Sequence, residues 1–125
     1  MSRAEKSALL VMVHGSPRTS ANAPMFAVVE RVRARGVYEI VEAGFMECND
    51  PTIPQAIARC AQLGATRIVA VPYFLHLGTH VADDLPTLLD DARARYPEIR
   101  FLMGPYLGRA PQVTDVLARR AGQAA

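Results

Sequence analysis

The sequence predicts an α/β fold, a parallel, flavodoxin-like sheet of four strands with helices on both faces, in the order βαβαβαβα. Three observations predict it. Short apolar runs rich in β-branched residues alternate with longer stretches of helical spacing. Glycine and proline stand at the joints between them. The first and third runs are apolar nearly throughout, as strands covered on both faces are. Strands alternating with helices form parallel sheets joined by right-handed crossovers.

The first strand is expected over Ala8–Val13. Met25, Val28, Val29 and Val32 then fall at i, i+3, i+4 and i+7, which draws one apolar stripe along a helix that Gly36 closes. The second strand is expected over Val37–Ala43. Ile53, Ala56, Ile57 and Cys60 repeat the helical spacing, with Asp50 or Thr52 as the cap, Pro54 in the first turn and Gly64 at the end. Arg67–Pro72 is the third strand. Leu85, Leu88, Leu89 and Ala92 mark the third helix, with Asp83 and Asp84 as candidate caps, Leu85-Pro86 in its first turn and Pro97 at its end. Ile99–Met103 is the fourth strand, and Val113, Val116 and Leu117 mark a fourth helix.

At 125 residues the chain is one domain, 1–125, with loose ends expected before Ser7 (1–6) and after Arg120 (121–125). A sheet of this size is expected in the order 2-1-3-4. Its ligands then sit past the carboxyl ends of strands one and three, where the connection reverses direction.

Composition excludes several classes. Half of the residues are apolar and 21% are charged, which suits a packed domain and not a disordered chain. A formal charge of +2 gives no bulk attraction for nucleic acid, although every basic residue but Lys6 is arginine. No apolar run approaches the ~18 residues that span a bilayer. Arg3 and Lys6 precede the first strand as in an export signal, but His14-Gly15-Ser16-Pro17-Arg18 ends the apolar run too early, so the expected address is the cytoplasm. Cys48 and Cys60 match neither C-x-x-C nor a zinc-finger spacing, and are expected as buried thiols in a reducing compartment.

Three histidines carry the chemistry. His14 directly follows strand one, and His76 and His80 follow strand three, so topology alone brings them to one crevice. Imidazole suits Fe, Co, Ni and Zn, which makes a metal site the natural reading; a solvated loop histidine is the alternative for any one of them. Glu47 follows strand two on the same edge, as a third ligand, a proton acceptor or a solvated acid. Cys48 beside it is a possible soft ligand, with burial as the alternative. The Gly15-Ser16 turn leading towards Arg18 and the first helix is receptive to anions. No phosphate loop, G-x-G-x-x-G or G-x-S-x-G is present, and Val13 stands where a phosphohistidine phosphatase would carry arginine.

These residues together resemble the class II tetrapyrrole chelatases, in particular the short form of the sirohydrochlorin chelatase family. The resemblance runs in order along nearly the whole chain. It comprises the strand leading into His14-Gly15-Ser16, Gly44-Phe45-Met46-Glu47, Pro51 with Ile53 and Ala56, and Val71-Pro72-Tyr73-Phe74-Leu75. Gly78 with His80, Asp84 with Pro86, and Gly104-Pro105-Tyr106-Leu107-Gly108 complete it. It implies ATP-independent insertion of Co²⁺, Fe²⁺ or Ni²⁺ into sirohydrochlorin, with the ion a substrate and no permanently bound cofactor. His14 and His80 are implied as the metal-facing residues and Glu47 as their acidic partner, while His76 inherits no role. Gly104-Pro105-Tyr106-Leu107 departs from the family's commoner Pro-Leu-Gly ending, and the histidine-rich loop of some relatives is missing.

The carboxylate-rich ring suits the turn at Gly15, Ser16 and Arg18, and Arg109 beyond it. Phe74, Leu75, Leu77 and Tyr106, with Gly78, are candidates to face the macrocycle. Long-form relatives resemble two such domains in tandem, which implies that the short form pairs as a homodimer. A carrier of tetrapyrrole or metal on the same fold is the non-catalytic alternative.

Overall fold

A computed structural model describes residues 4–125. The strands are β1 (Ser7–Val13), β2 (Ile40–Phe45), β3 (Arg67–Pro72) and β4 (Arg100–Met103). The helices are α1 (Ala23–Ala34), α2 (Ile53–Gln62), α3 (Thr79–Arg95) and α4 (Gln112–Ala124), with single 3₁₀ turns at Thr19–Ala21 and Leu107–Arg109. All neighbouring strands pair in parallel, in the order β2-β1-β3-β4. The expected α/β fold and strand order are both present.

Alternation along the strands divides the core in two. Ala8, Leu10 and Met12 of β1, Ile68 and Ala70 of β3 and Phe101 of β4 face α2 and α3, where Ile53, Ile57, Cys60, Leu85 and Leu89 complete one apolar layer. Val11, Val13, Val41, Ala43 and Phe45 face the other way and pack on Met25 and Val29 of α1. At roughly 1.5–3 kcal/mol for each large side chain withdrawn from water, these two layers supply the main drive to fold.

Local chemistry sets the ends. Thr52 and Gln55 form a reciprocal capping box on α2, each side chain serving the other's backbone N–H at 3.2 and 2.8 Å. Gly36 and Gly64, with φ of +70° and +91°, follow α1 and α2 in the left-handed conformation that ends helices.

The boundaries that differ most from the expectation are those of β2, of α3 and of the two ends of the chain. β2 begins at Ile40, because Val37, just past the Gly36 turn, is 77% exposed and unpaired with the sheet. α3 begins at Thr79 on Gly78, so Asp83 and Asp84 are exposed residues within the helix and not its caps. Pro86 lies inside α3. It removes a single N–H on the exposed side, and the Thr87 hydroxyl donates to the Asp83 carbonyl at 3.1 Å beside it. The tail expected to be loose after Arg120 is helical to Ala124, although none of its residues is buried. Of the expected loose end at 1–6, residues 1–3 lie outside the described residues, and Lys6 is fixed by its backbone bonds to Thr66.

Helix coverage is uneven. α4 has no buried residue, and α1 covers only the β2–β1 half of its face. Leu102 of β4, which points to that face, therefore remains 37% exposed. Among the described residues no helix is long and apolar enough to cross a membrane.

Candidate functional site

Because β1 and β2 are parallel and Val13 stands opposite Phe45, their following loops leave the sheet side by side at its carboxyl edge. The pairing continues beyond both strands. The Met46 N–H donates to the Val13 carbonyl at 2.8 Å, and the Glu47 N–H to the His14 carbonyl at 3.1 Å. That register sets the two side chains against each other, with His14 Nε2 3.3 Å from Glu47 Oε1. Both are about half exposed.

Gly15 makes this approach possible. Its φ is +97°, and a Cβ there would lie 2.0 Å from the Glu47 carbonyl oxygen. The Ser16 N–H donates to Asn49 Oδ1 at 2.8 Å, while Asn22 Nδ2 donates to the Ser16 carbonyl at 3.4 Å. The Ser16 hydroxyl accepts the Arg18 N–H at 3.2 Å, and the Arg18 side chain projects without an ion-pair partner among the described residues.

His14 Nδ1 lies 3.1 Å from the Gly15 carbonyl oxygen. A carbonyl only accepts, so in the tautomer that makes this bond Nδ1 carries the proton. In the neutral ring Nε2 is then a lone pair facing a carboxylate. Two acceptors at that distance repel unless a cation lies between them, either a proton or a metal ion. A hydrogen bond from the distal nitrogen to a carbonyl is also how metal-binding histidines are oriented.

The β3 side of the edge is built differently. The Tyr73 N–H donates to the Met12 carbonyl at 2.8 Å, which seats the following Phe74 ring edge-on to His14, 6.3 Å between centroids. Leu75 is 68% exposed, and the Gly108 N–H donates to the Phe74 carbonyl at 2.9 Å to hold the loop after β4 against it. Gly78 is the residue on which α3 starts. His76 lies in the loop, whereas His80 is in the first turn of α3. Both are exposed and without a hydrogen-bond or ion-pair partner among the described residues.

The structure thus joins His14 to Glu47 but does not gather the whole expected set. Among the described residues no three His, Cys, Asp or Glu side chains lie close enough to hold one ion. Cys48, expected to be buried, is exposed with φ +69° at the tip of the loop after β2, because the turn that pairs Glu47 with His14 turns the next residue outward. Cys60 is the buried thiol, and burial in the α2 layer pushes its pKa up to about 12.

Sequence reasoning missed Asn22 and Asn49. The available signals were an asparagine at a helix start and another in the turn before Asp50-Pro51. The edge itself is open. A hollow of about 390 Å³ lies between α2 and α3, lined by Ile57, Leu88, Arg95 and Tyr96 on the far side of the sheet from α1. A second of about 330 Å³ lies beside Tyr106, Leu107 and Arg109, where the Arg109 side chain is unpaired among the described residues.

The family model described as CbiX matches residues 8–124. The sirohydrochlorin cobaltochelatase of Methanococcus maripaludis is 40% identical over 82 residues, covering 66% of this chain and 57% of that protein. The chloroplastic sirohydrochlorin ferrochelatase of Arabidopsis thaliana is 34% identical over 112 residues, covering 90% of this chain and 50% of that protein. The matches thus span little more than half the length of these curated relatives. Among solved structures, the sirohydrochlorin chelatase SirB from Bacillus subtilis subspecies spizizenii in complex with cobalt superposes with a TM-score of 0.87 at 31% identity, covering 94% of this chain and 50% of that one.

Proposed function

The chain belongs to the CbiX family, and from that premise we propose that it inserts a divalent metal ion into sirohydrochlorin without ATP. The observation that carries the reading is the His14–Glu47 pair at the carboxyl edge of the sheet. Metal–nitrogen and metal–oxygen bonds of about 2.0–2.2 Å to donors 3.3 Å apart close at roughly 100°, an ordinary angle for one shared ion. Two protein donors leave the remaining positions open for water and then for the ring nitrogens.

The reaction exchanges M²⁺ for the two pyrrole N–H protons of the ring. One proton returns to the His14–Glu47 pair as the ion leaves it, which restores the cation between the two acceptors, and the second passes to water. His80, the second residue of α3 on the same edge, completes the ligand set once substrate draws the site together. Phe74, Leu75 and Gly78 lie against one side of the macrocycle, and its carboxylates meet Gly15, Ser16 and Arg18 at the other.

An open edge buries little of a flat ring, so the working unit is a homodimer with two such edges facing across one cleft. The metal is Co²⁺, Fe²⁺ or Ni²⁺ and enters as a substrate, and the setting is the cytoplasm. Mixing the protein with sirohydrochlorin and each metal at controlled free concentration, and following the visible spectrum, tests the reading. Turnover beyond one ring per chain is expected; a spectral shift that stops at one equivalent identifies a carrier and overturns it.

A further inference from the structure

We propose that Asn49 and Asn22 are positioning residues that clamp the Ser16 peptide from both sides and so hold His14 against Glu47. Neither asparagine touches the ion in this scheme; each acts through the backbone. The inference rests on the reading of His14 and Glu47 as the metal-holding pair.

Ser16 has both backbone groups taken by side-chain amides from separate parts of the chain. Asn49, from the loop after β2, accepts its N–H at 2.8 Å. Asn22, at the start of α1, donates to its carbonyl at 3.4 Å. Asn22 is the buried polar residue of the described chain, 6% exposed, and it occupies the N-cap of α1 without making a cap hydrogen bond. An asparagine at an N-cap normally turns its oxygen back onto the helix N–H groups. Here its amide is directed to Ser16 instead, which marks the Ser16 contact as the one the local structure favours.

The geometry explains why a clamp is needed. Past Val13 and Phe45 the strands no longer pair in regular register, and only the Met46 and Glu47 amides tie the two loops by backbone. Gly15, at φ +97°, is the most flexible residue type in the turn that carries His14. The Gly15 carbonyl and the Ser16 N–H belong to one peptide, so without the Ser16–Asn49 bond that glycine is free to turn away the carbonyl that orients the His14 ring beside the carboxylate. The Asn49 N–H also donates to the Glu47 carbonyl at 2.9 Å, so one residue fixes both partners of the pair.

The test compares wild type, Asn49→Ala and Asn49→Asp, which keeps the accepting oxygen. Two readouts separate positioning from bulk stability. In backbone amide exchange of the metal-free protein, Asn49→Ala should speed exchange of the Glu47 N–H about tenfold, the equivalent of one ordinary hydrogen bond, while the β1 amides stay protected. In Co²⁺ titrations followed by visible absorption, the same variant should bind about tenfold more weakly with an altered spectrum, and Asn49→Asp should restore the wild-type spectrum.

Unchanged Glu47 exchange in Asn49→Ala overturns the clamp whatever the metal does. If Glu47 exchange rises but Co²⁺ binding is indifferent to His14→Ala in the wild-type background, the clamp stands and the metal reading fails. Should Asn49→Ala not fold, Asn49→Ser carries the same two readouts.

Discussion

The two βαβ halves of the molecule, β1-α1-β2 and β3-α3-β4, solve one problem alike and another differently. In each, an arginine late in the helix pairs with an acid three residues earlier and donates to a carbonyl of the edge strand eight residues on. Arg33 binds Glu30 and the Val41 carbonyl, and Arg93 binds Asp90 and the Phe101 carbonyl. Both edge strands thus have a backbone group occupied that would otherwise invite another chain. The carboxyl edges diverge. The first half is laced by backbone and asparagine bonds that hold His14 to Glu47, whereas the second presents His76 and His80 without a partner among the described residues, beside exposed Leu75. Under the proposed function, gripping an ion and then releasing it to a flat ring has use for one fixed jaw and one that adapts.

The largest effects should come from the histidines of the two jaws. His14→Ala and His80→Ala are each expected to lower the insertion rate by orders of magnitude with the fold retained, since both side chains are exposed. They should differ in Co²⁺ binding without tetrapyrrole. His14→Ala should abolish it, and His80→Ala should only weaken it. His76→Ala should change the rate least. Equal loss of binding in the first two variants would mean that the two jaws hold the ion together from the outset.

Glycine substitutions test the same contrast through the backbone. Gly15→Ala must place a methyl against the Glu47 carbonyl at a positive φ, and is expected to cost about 3 kcal/mol or more and to detach His14 from Glu47. Gly78, before α3, has nothing within 4 Å of where a Cβ would lie and an ordinary negative φ. Gly78→Ala should cost under about 1 kcal/mol, the difference between these residues at an N-cap. Thermal unfolding of the two variants, with insertion rates alongside, measures both.

The helices and their ends were the most legible from sequence, because their rules are local. The spacing of Ile53, Ala56, Ile57 and Cys60, the Thr52 cap, and Gly36 and Gly64 all report on neighbours within a few residues. The placement of His14 and Glu47 on one edge followed from topology, since parallel strands end together. What sequence did not show were bonds across long separations. The Ser16–Asn49 contact spans 33 residues, and asparagine has no periodicity to reveal it. The start of α3 was misplaced because Pro86 reads as a first-turn signal, while the structure places it mid-helix on an exposed side. Cys48 was misassigned because burial of a loop thiol depends on a turn geometry that composition does not encode.

The two cysteines give a pH test of that correction. Cys60 keeps its proton up to about 12 in the folded state, against 9.0 for an ordinary thiol, because burial disfavours the thiolate and Glu42 adds to the effect. The unfolded chain therefore loses a proton that the folded one retains, and stability should fall as pH rises from about 9 towards 12. The loss should approach about 2 kcal/mol midway through that window. Cys60→Ala should flatten this slope in denaturant titrations across pH. A thiol reagent at pH 8 should label exposed Cys48 at once and Cys60 only on unfolding.

The smallest expected difference returns to the arginines that the halves share. Replacing Arg33 or Arg93 by methionine keeps the aliphatic stem and removes the same two bonds in each half, so any inequality reflects the strand being served. β2 pairs with β1 over six residues and is buried on both faces by α1 and α2. β4 pairs with β3 over four residues and leaves Leu102 exposed where no helix covers it. A short strand held by fewer contacts loses a larger share of its support when one carbonyl bond goes, and opens locally without unfolding the rest. Arg93→Met is therefore expected to lower stability by about 1 kcal/mol, the usual worth of such a bond, and to speed exchange of the β4 amides. Arg33→Met should cost about half as much, with the β2 amides still protected. Equal costs and equal exchange would mean that β4 is shielded as well as β2, and that the uncovered face is closed in solution by α4 or by a second copy of the chain.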